Sequence, residues 1–164
     1  MGREIERKFL VTGDAWKMPG QGVLIRQGYL NSDPERVVRV RTMGGSAALT
    51  VKGPSVGATR AEFEYGIPLA DAHELLGLCE QPLIEKTRYT VAVGSLVWEI
   101  DEFHGANQGL TVAECELESE DQDVPKPDWV GDEVTGDPRY FNSSLVAEPF
   151  LAWRKRDGRE PLAP

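Results

Sequence analysis

The chain opens MGREIERKFLV (1–11), and the alternation inside this stretch decides how the fold is read. Glu4, Glu6 and Lys8 recur at every second position, so on a β-strand they share one face, while Ile5 and Phe9 flank Arg7 on the other. Charges at every second position are costly if their face is a core. They suit a face that lines a wet, polyanion-binding cavity.

The same period recurs along most of the chain. After strand 3–11 comes a turn-rich stretch, 13–22, with Pro19-Gly20 as its strongest turn signal. VLIRQGYL (23–30) reads as a strand, NSDP (31–34) as a turn and ERVVRVRTM (35–43) as a strand, and Gly44-Gly45 leads by hairpin into AALTVKG (47–53). A loop at 54–58 precedes strand TRAEFEYGI (59–67). A helix over 69–79 follows, with Leu75, Leu76 and Cys79 in its apolar stripe. Strands resume at 83–93, 96–103 and 110–118, with Gly94-Ser95 as a tight connection. That makes eight strand candidates in mostly antiparallel order. The stretch 119–138 is acidic, Pro-rich and irregular. A short helix is expected from Asn142, a good N-cap residue, and 153–159 reads either as a packed terminal helix or as a frayed end.

At 164 residues the chain suits a single domain over 1–164, with the residues after about 150 as a peripheral tail. A net charge of −9 gives long-range repulsion from nucleic acid and from anionic membranes, so neither is expected as a partner. A small polyanion gripped by local Lys and Arg remains compatible with that balance. Cys79 and Cys115 read as buried thiols of a reducing compartment. No signal-length apolar run or membrane span is present, so a cytoplasmic location is expected. His73 and His104 are not spaced as a metal pair. Trp98 and Trp129 are expected to brace the sheet, and Trp16 and Trp153 to pack peripheral segments. No Walker loop or Rossmann fingerprint occurs.

Acids pair at i,i+2 in Glu4/Glu6, Glu62/Glu64, Glu99/Asp101 and Glu114/Glu116; bases share faces as Arg39/Arg41 and Lys86/Arg88, with Lys8 and Lys52 alone. The residues between them, such as Phe63 and Tyr65, are expected to bury the opposite face against helices. One charged strand is an ordinary solvated face. Sheets of eight strands, however, often curl and close. Closed with the polar side inward, the acids call for hard divalent cations, Mg²⁺ or Mn²⁺, and the bases for phosphate oxygens. Acids for metals and bases for phosphates in one channel point to phosphoryl transfer.

The motifs EIERKFLV (4–11), QGYL (27–30), RVR (39–41), TVKG (50–53), EFE (62–64), EKTRY (85–89), WEIDEF (98–103), AECELE (113–118) and EVTGDPRYFNSSL (133–145) together resemble the CYTH superfamily, the triphosphate tunnel metalloenzymes, in its small bacterial single-domain form. The resemblance implies a mainly β (α+β) fold, an eight-stranded antiparallel closed barrel around a tunnel, with helices packed outside. It implies metal-dependent hydrolysis of inorganic triphosphate, with thiamine triphosphatase, class IV-type adenylate cyclase or a non-catalytic triphosphate- or polyphosphate-binding module as alternatives. Glu4, Glu6, Lys8 and Glu116 become the candidate catalytic residues. Metal ligands are sought among Glu4, Glu6, Glu62, Glu64, Asp101, Glu114 and Glu116, for Mg²⁺ or Mn²⁺ and two ions during turnover. Phosphate binding falls to Lys8, Arg39, Arg41, Lys52, Arg60, Lys86, Arg88 and Arg139. Arg60 reads equally as a salt-bridge partner inside the tunnel, and Tyr140 and Asn142 as organisers of its mouth or as helix caps. Arg139 stands before Tyr140 where similar chains often carry Lys, which keeps the charge and changes the donor geometry. Homodimerisation is left open, through an outer helix or the acidic 119–133 stretch.

Overall fold

The computed structural model describes residues 2–18 and 21–156. The Pro19-Gly20 turn and the end of the chain from 157 lie outside the described residues. Nine strands follow one another as β1 (Arg3–Val11), β2 (Val23–Asn31), β3 (Val37–Met43), β4 (Ser46–Val56), β5 (Thr59–Gly66), β6 (Ile84–Val93), β7 (Leu96–Phe103), β8 (Thr111–Glu116) and β9 (Val130–Glu133). Helix α1 (Leu69–Leu78) lies between β5 and β6, and α2 (Ser144–Ala147) and α3 (Phe150–Arg156) follow β9. No helix among the described residues is long and apolar enough to cross a membrane.

Spatial order is β5-β4-β3-β2-β6-β7-β8-β1, and β1 pairs again with β5, which closes an eight-stranded antiparallel barrel. The closing seam is short, running only through Arg3↔Ala61, Glu4↔Arg60 and Ile5↔Thr59. Beyond it the same edge of β1 pairs with β9, through Phe9↔Glu133 and Val11↔Val130. Strand β9 thus appears inside a stretch expected to be irregular, because the second half of β1 has an unpaired edge that must find partners.

Outside the barrel two apolar clusters bury the outward positions. Trp98, fully buried, meets Phe9 and Trp129 edge-to-face with centroids 5.6 and 5.7 Å apart, bracing the β1–β7–β8 wall as expected. Helix α1 lays Ala72 and Leu76 on Val40 of β3. The expectation for Phe63 and Tyr65 is corrected: they stay 48% and 59% exposed, because α1 covers Val40 and Leu49 and does not reach their part of β5. A third cluster combines inward positions of the barrel, Tyr29, Ile84, Phe103 and Val112, with Tyr140, Leu145, Val146 and Trp153 from the last third. One end of the barrel therefore has an apolar floor. The start of 153–159 takes the packed form of its two readings, with Trp153 buried and α3 running to Arg156.

Ser143, not Asn142, occupies the N-cap of α2, and it makes no side-chain cap bond. Asn142 turns into the barrel instead. Gly28 lies beneath the end of α1, where a Cβ would come within 2.6 Å of the Cys79 Cβ and 2.7 Å of Leu83 Cδ2. Gly77, inside α1, has nothing within 4 Å of that position. Gly28→Ala should therefore cost about 1–3 kcal/mol and Gly77→Ala should add about 0.5–1 kcal/mol in urea unfolding. Equal effects of the two would contradict the close approach at Gly28.

Candidate active site

Pairing register arranges the inward charges into walls. On β8, β1 and β5, neighbours across the seam, Glu6 stands opposite Glu116, Lys8 opposite Glu114 and Glu4 opposite Arg60. With Glu62 on β5, this wall is mainly acidic. Arg39 and Arg41 on β3, and Lys86 and Arg88 on β6, make a basic wall on either side of β2. A cavity of about 100 Å³ lies between, lined by seven basic side chains and three acidic ones, Glu4, Glu6 and Glu114. A vestibule of about 610 Å³ shares Arg60, Ser55 and Phe141 with it.

Buried charges persist only when paired. Arg88 grips Asp101 through Nε and Nη2 at 2.8 and 2.9 Å and reaches Glu99 through Nη1 at 2.9 Å. Lys86 Nζ lies 2.7 Å from the second Asp101 oxygen, with both side chains 1% exposed. Lys52 bridges Glu4 and Glu62, each at 3.2 Å, and Lys8 pairs with Glu114 at 3.4 Å while donating to the Tyr140 carbonyl at 2.9 Å. Arg39 Nη2 reaches Thr50 Oγ1 at 3.1 Å and Glu64 at 3.5 Å, and its buried Nε has no partner among the described residues. The arginine itself lines the cavity.

The acids divide by environment. Burial is the largest single influence on Glu114 and pushes it upward, but Lys8, Lys86 and Arg88 together outweigh it and hold the group at about 2. Asp101, also opposed by burial, sits well below the usual range because of Lys86 and Arg88. Burial and a hydrogen bond shared with Glu62 raise Glu4 to about 7, and burial with Glu114 and Glu4 beside it raises Glu6 well above its ordinary value. Burial raises Glu116 as well. On the basic wall, burial with Arg39 and Arg88 alongside lowers Arg41 to about 10.

A hard divalent cation fits this donor set: all its ligands are oxygens, and burial with mutual repulsion keeps several from ionising alone. Glu4, Glu6, Glu62, Glu114 and Glu116, on three adjacent strands, are the groups that would hold it. Among the described residues no group of three or more acids already converges as a ready-made metal cluster, and Lys52 and Lys8 occupy the oxygens of Glu4, Glu62 and Glu114. Glu64 and Asp101 stand apart from that set, each engaged by an arginine.

Of the expected phosphate binders, Lys8, Arg39, Arg41, Lys52, Arg60, Lys86 and Arg88 line the cavity. Arg60 donates to the Gly53 carbonyl at 3.1 and 2.8 Å, a partner that neither reading of it foresaw. Arg139 does not reach the cavity: its guanidinium pairs with Asp137 at 3.0 Å and lies over the Tyr140 and Trp153 rings. Gln27 and Tyr29 are inward-facing groups missing from the expected set, although they alternate along β2 with the same period as the charged pairs. Asn142, expected at the mouth or as a helix cap, lines the cavity.

Metal-free protein should lose stability as pH rises from about 5 to about 7. The folded pKa of Glu4, about 7, lies above its ordinary 4.5, so the folded state carries the extra proton through that window and loses the advantage across it. A loss on the order of 3 kcal/mol is expected by thermal unfolding, flattened in Glu4→Gln and by added Mg²⁺. A Tm that stays level or rises over the window would contradict the assignment.

The CYTH domain model matches residues 2–148. The chain is 54% identical over 156 residues to an inorganic triphosphatase of Acetivibrio thermocellus, covering 94% of this chain and 100% of that one. It is 36% identical over 151 residues to an inorganic triphosphatase of Nitrosomonas europaea, covering 87% and 96%. A crystal structure of an inorganic triphosphatase superposes with a TM-score of 0.61 at 35% identity, covering 87% of this chain and 93% of the other. With that match over nearly its whole length, and a closed barrel bearing charge on its inner face, the chain belongs to the CYTH domain family.

Proposed function

We propose that this chain hydrolyses inorganic triphosphate to diphosphate and orthophosphate inside the barrel. The observation that carries the reading is the opposition of an acidic β8–β1–β5 wall and a basic β3–β6 wall around one small cavity. Its polar lining consists mainly of groups that grip phosphate or a hard cation, as a substrate made only of phosphates requires. Both relatives named above are inorganic triphosphatases, which supports the same substrate.

Triphosphatases of this family are in general metal-dependent. The all-oxygen donors favour Mg²⁺ or Mn²⁺, and acids spread over three strands favour two ions. What the metal supplies when bound is charge neutralisation and a lowered pKa for the attacking water. The chain's own groups do the rest. Arg39, Arg41, Lys86 and Arg88 orient the triphosphate by charge-assisted bonds to its non-bridging oxygens and spread the charge that develops on the leaving diphosphate. Lys8 and Lys52, paired here with Glu114 and with Glu4 and Glu62, would be free to turn to phosphate where those acids held a cation.

Orthophosphate release with Mg²⁺ and then Mn²⁺, compared across inorganic triphosphate, thiamine triphosphate and ATP, tests this reading. Strong preference for the inorganic substrate is expected, lost on chelation and reduced on the order of a hundredfold in Glu6→Ala. Cyclic AMP and diphosphate from ATP would indicate a cyclase, and tight binding without turnover a binding module; either result overturns the proposal. Glu116→Ala should chiefly impair metal-dependent turnover, whereas Arg41→Ala should weaken triphosphate binding even in Ca²⁺ without turnover. Equal, small effects of the two would remove the division of labour between the walls.

A further inference from the structure

Most cations in the cavity are neutralised before any ligand arrives. Arg88 has Asp101 and Glu99, Lys86 has Asp101, Lys52 has Glu4 and Glu62, and Lys8 has Glu114. Arg41 differs, as does Arg60, which donates to the Gly53 carbonyl. The Arg41 Nε donates to Gln27 Oε1 at 2.9 Å, a neutral amide, and among the described residues no carboxylate pairs with its guanidinium. It lines the cavity, and its Nη groups are not among the buried atoms lacking a partner. Tied at Nε alone, the guanidinium keeps its two-pronged end for a ligand. That is the geometry in which arginine binds a phosphate through two parallel bonds.

Gln27 is itself fully buried and held on its other side. Its Nε2 donates to Tyr29 Oη at 2.8 Å and to Asn142 Oδ1 at 3.2 Å. Asn142 Oδ1 also accepts from Lys86 Nζ at 2.9 Å. Two neutral side chains therefore link Arg41 to Lys86 across β2 and fasten both to the segment that follows the Asp137–Tyr140 turn. We infer that Gln27 is a positioning residue that aims Arg41 at the triphosphate while leaving its positive charge uncompensated, so that this cation remains for the substrate. This rests on the triphosphatase reading. It explains why an amide, and not a carboxylate, occupies a fully buried position beside Arg41. A carboxylate there would make a stronger protein pair and a weaker phosphate site.

The test is the near-isosteric Gln27→Glu, with Gln27→Ala and Arg41→Ala beside it. Each is measured for Tm, for the Kd of inorganic triphosphate in Ca²⁺ by calorimetry, and for kcat and KM with Mg²⁺. Gln27→Glu should remain folded while weakening Kd and KM about tenfold, with kcat within about threefold of the parent. The Gln27→Glu/Arg41→Ala double variant should bind no worse than Arg41→Ala alone, because Gln27 acts through Arg41. A folded Gln27→Glu with Kd and KM within twofold of the parent overturns the role. So does a double variant whose losses add. Loss of Tm in both Gln27 variants with binding intact would leave Gln27 only a packing role, which also overturns it. Unaltered protein that neither binds nor hydrolyses triphosphate refutes the triphosphatase reading as well, whereas normal activity with an indifferent Gln27→Glu refutes the positioning role alone.

Discussion

Enclosing charge of both signs in a closed barrel is the constraint on which the rest of the structure depends. A charged group taken from water costs several kcal/mol unless it finds a partner, and here the partners come from other inward positions across the cavity. Asp101 illustrates the solution: its two oxygens take three bonds from Arg88 and Lys86, and the three side chains form one fixed unit. Lys52 serves Glu4 and Glu62 in the same way. Such pairs hold the cavity open and aligned without ligand. Under the proposed function a triphosphate and its metal would enter by exchange, Glu4, Glu62 and Glu114 giving up a lysine for a cation and Lys52 and Lys8 giving up an acid for a phosphate oxygen. Exchange costs less than creating buried charge anew.

The barrel needs a second ingredient, an end that is not charged. Inward positions Ile84, Phe103 and Val112 share strands and parity with Lys86, Asp101 and Glu114, yet they join Tyr140, Leu145, Val146 and Trp153 in an apolar floor. The floor anchors the last third of the chain, and the chain in turn presents Asn142 and the Tyr140 carbonyl to Lys86 and Lys8. Strand β1 connects these parts. It carries Glu4, Glu6 and Lys8, closes the barrel on β5 with its first half and recruits β9 with its second. Packing outside the barrel and electrostatics inside it meet on this one strand.

Period-two alternation made the barrel strands and their inward faces legible, since a strand with acids or bases at i,i+2 and apolar residues between them has only one way to face. Helix α1 was legible for a similar reason. Four-residue β9 was not: Val130–Glu133 has no alternation, and it is a strand only because β1 offers an unpaired edge there. Phe63 and Tyr65 misled because alternation shows which side a residue faces, not whether anything covers that side. Arg139 misled because it sits in a 3-10 turn, where parity has no meaning, and Asp137 and two aromatic rings take its side chain. Gln27 escaped because a neutral amide carries no charge signal, although it contacts the charge beside it.

Burial holds Glu4 and Glu6 in the acid form above the usual carboxylate range, so part of the acidic wall of metal-free protein carries protons near pH 6. Calorimetric titration of metal-free protein with Mg²⁺ near pH 6, in two buffers of different ionisation enthalpy, counts the protons released on binding. Release of about one proton or more per chain, diminished in Glu4→Gln, is the expected result. Binding with no proton release would show the acids already ionised and would contradict a protonated resting state of the acidic wall.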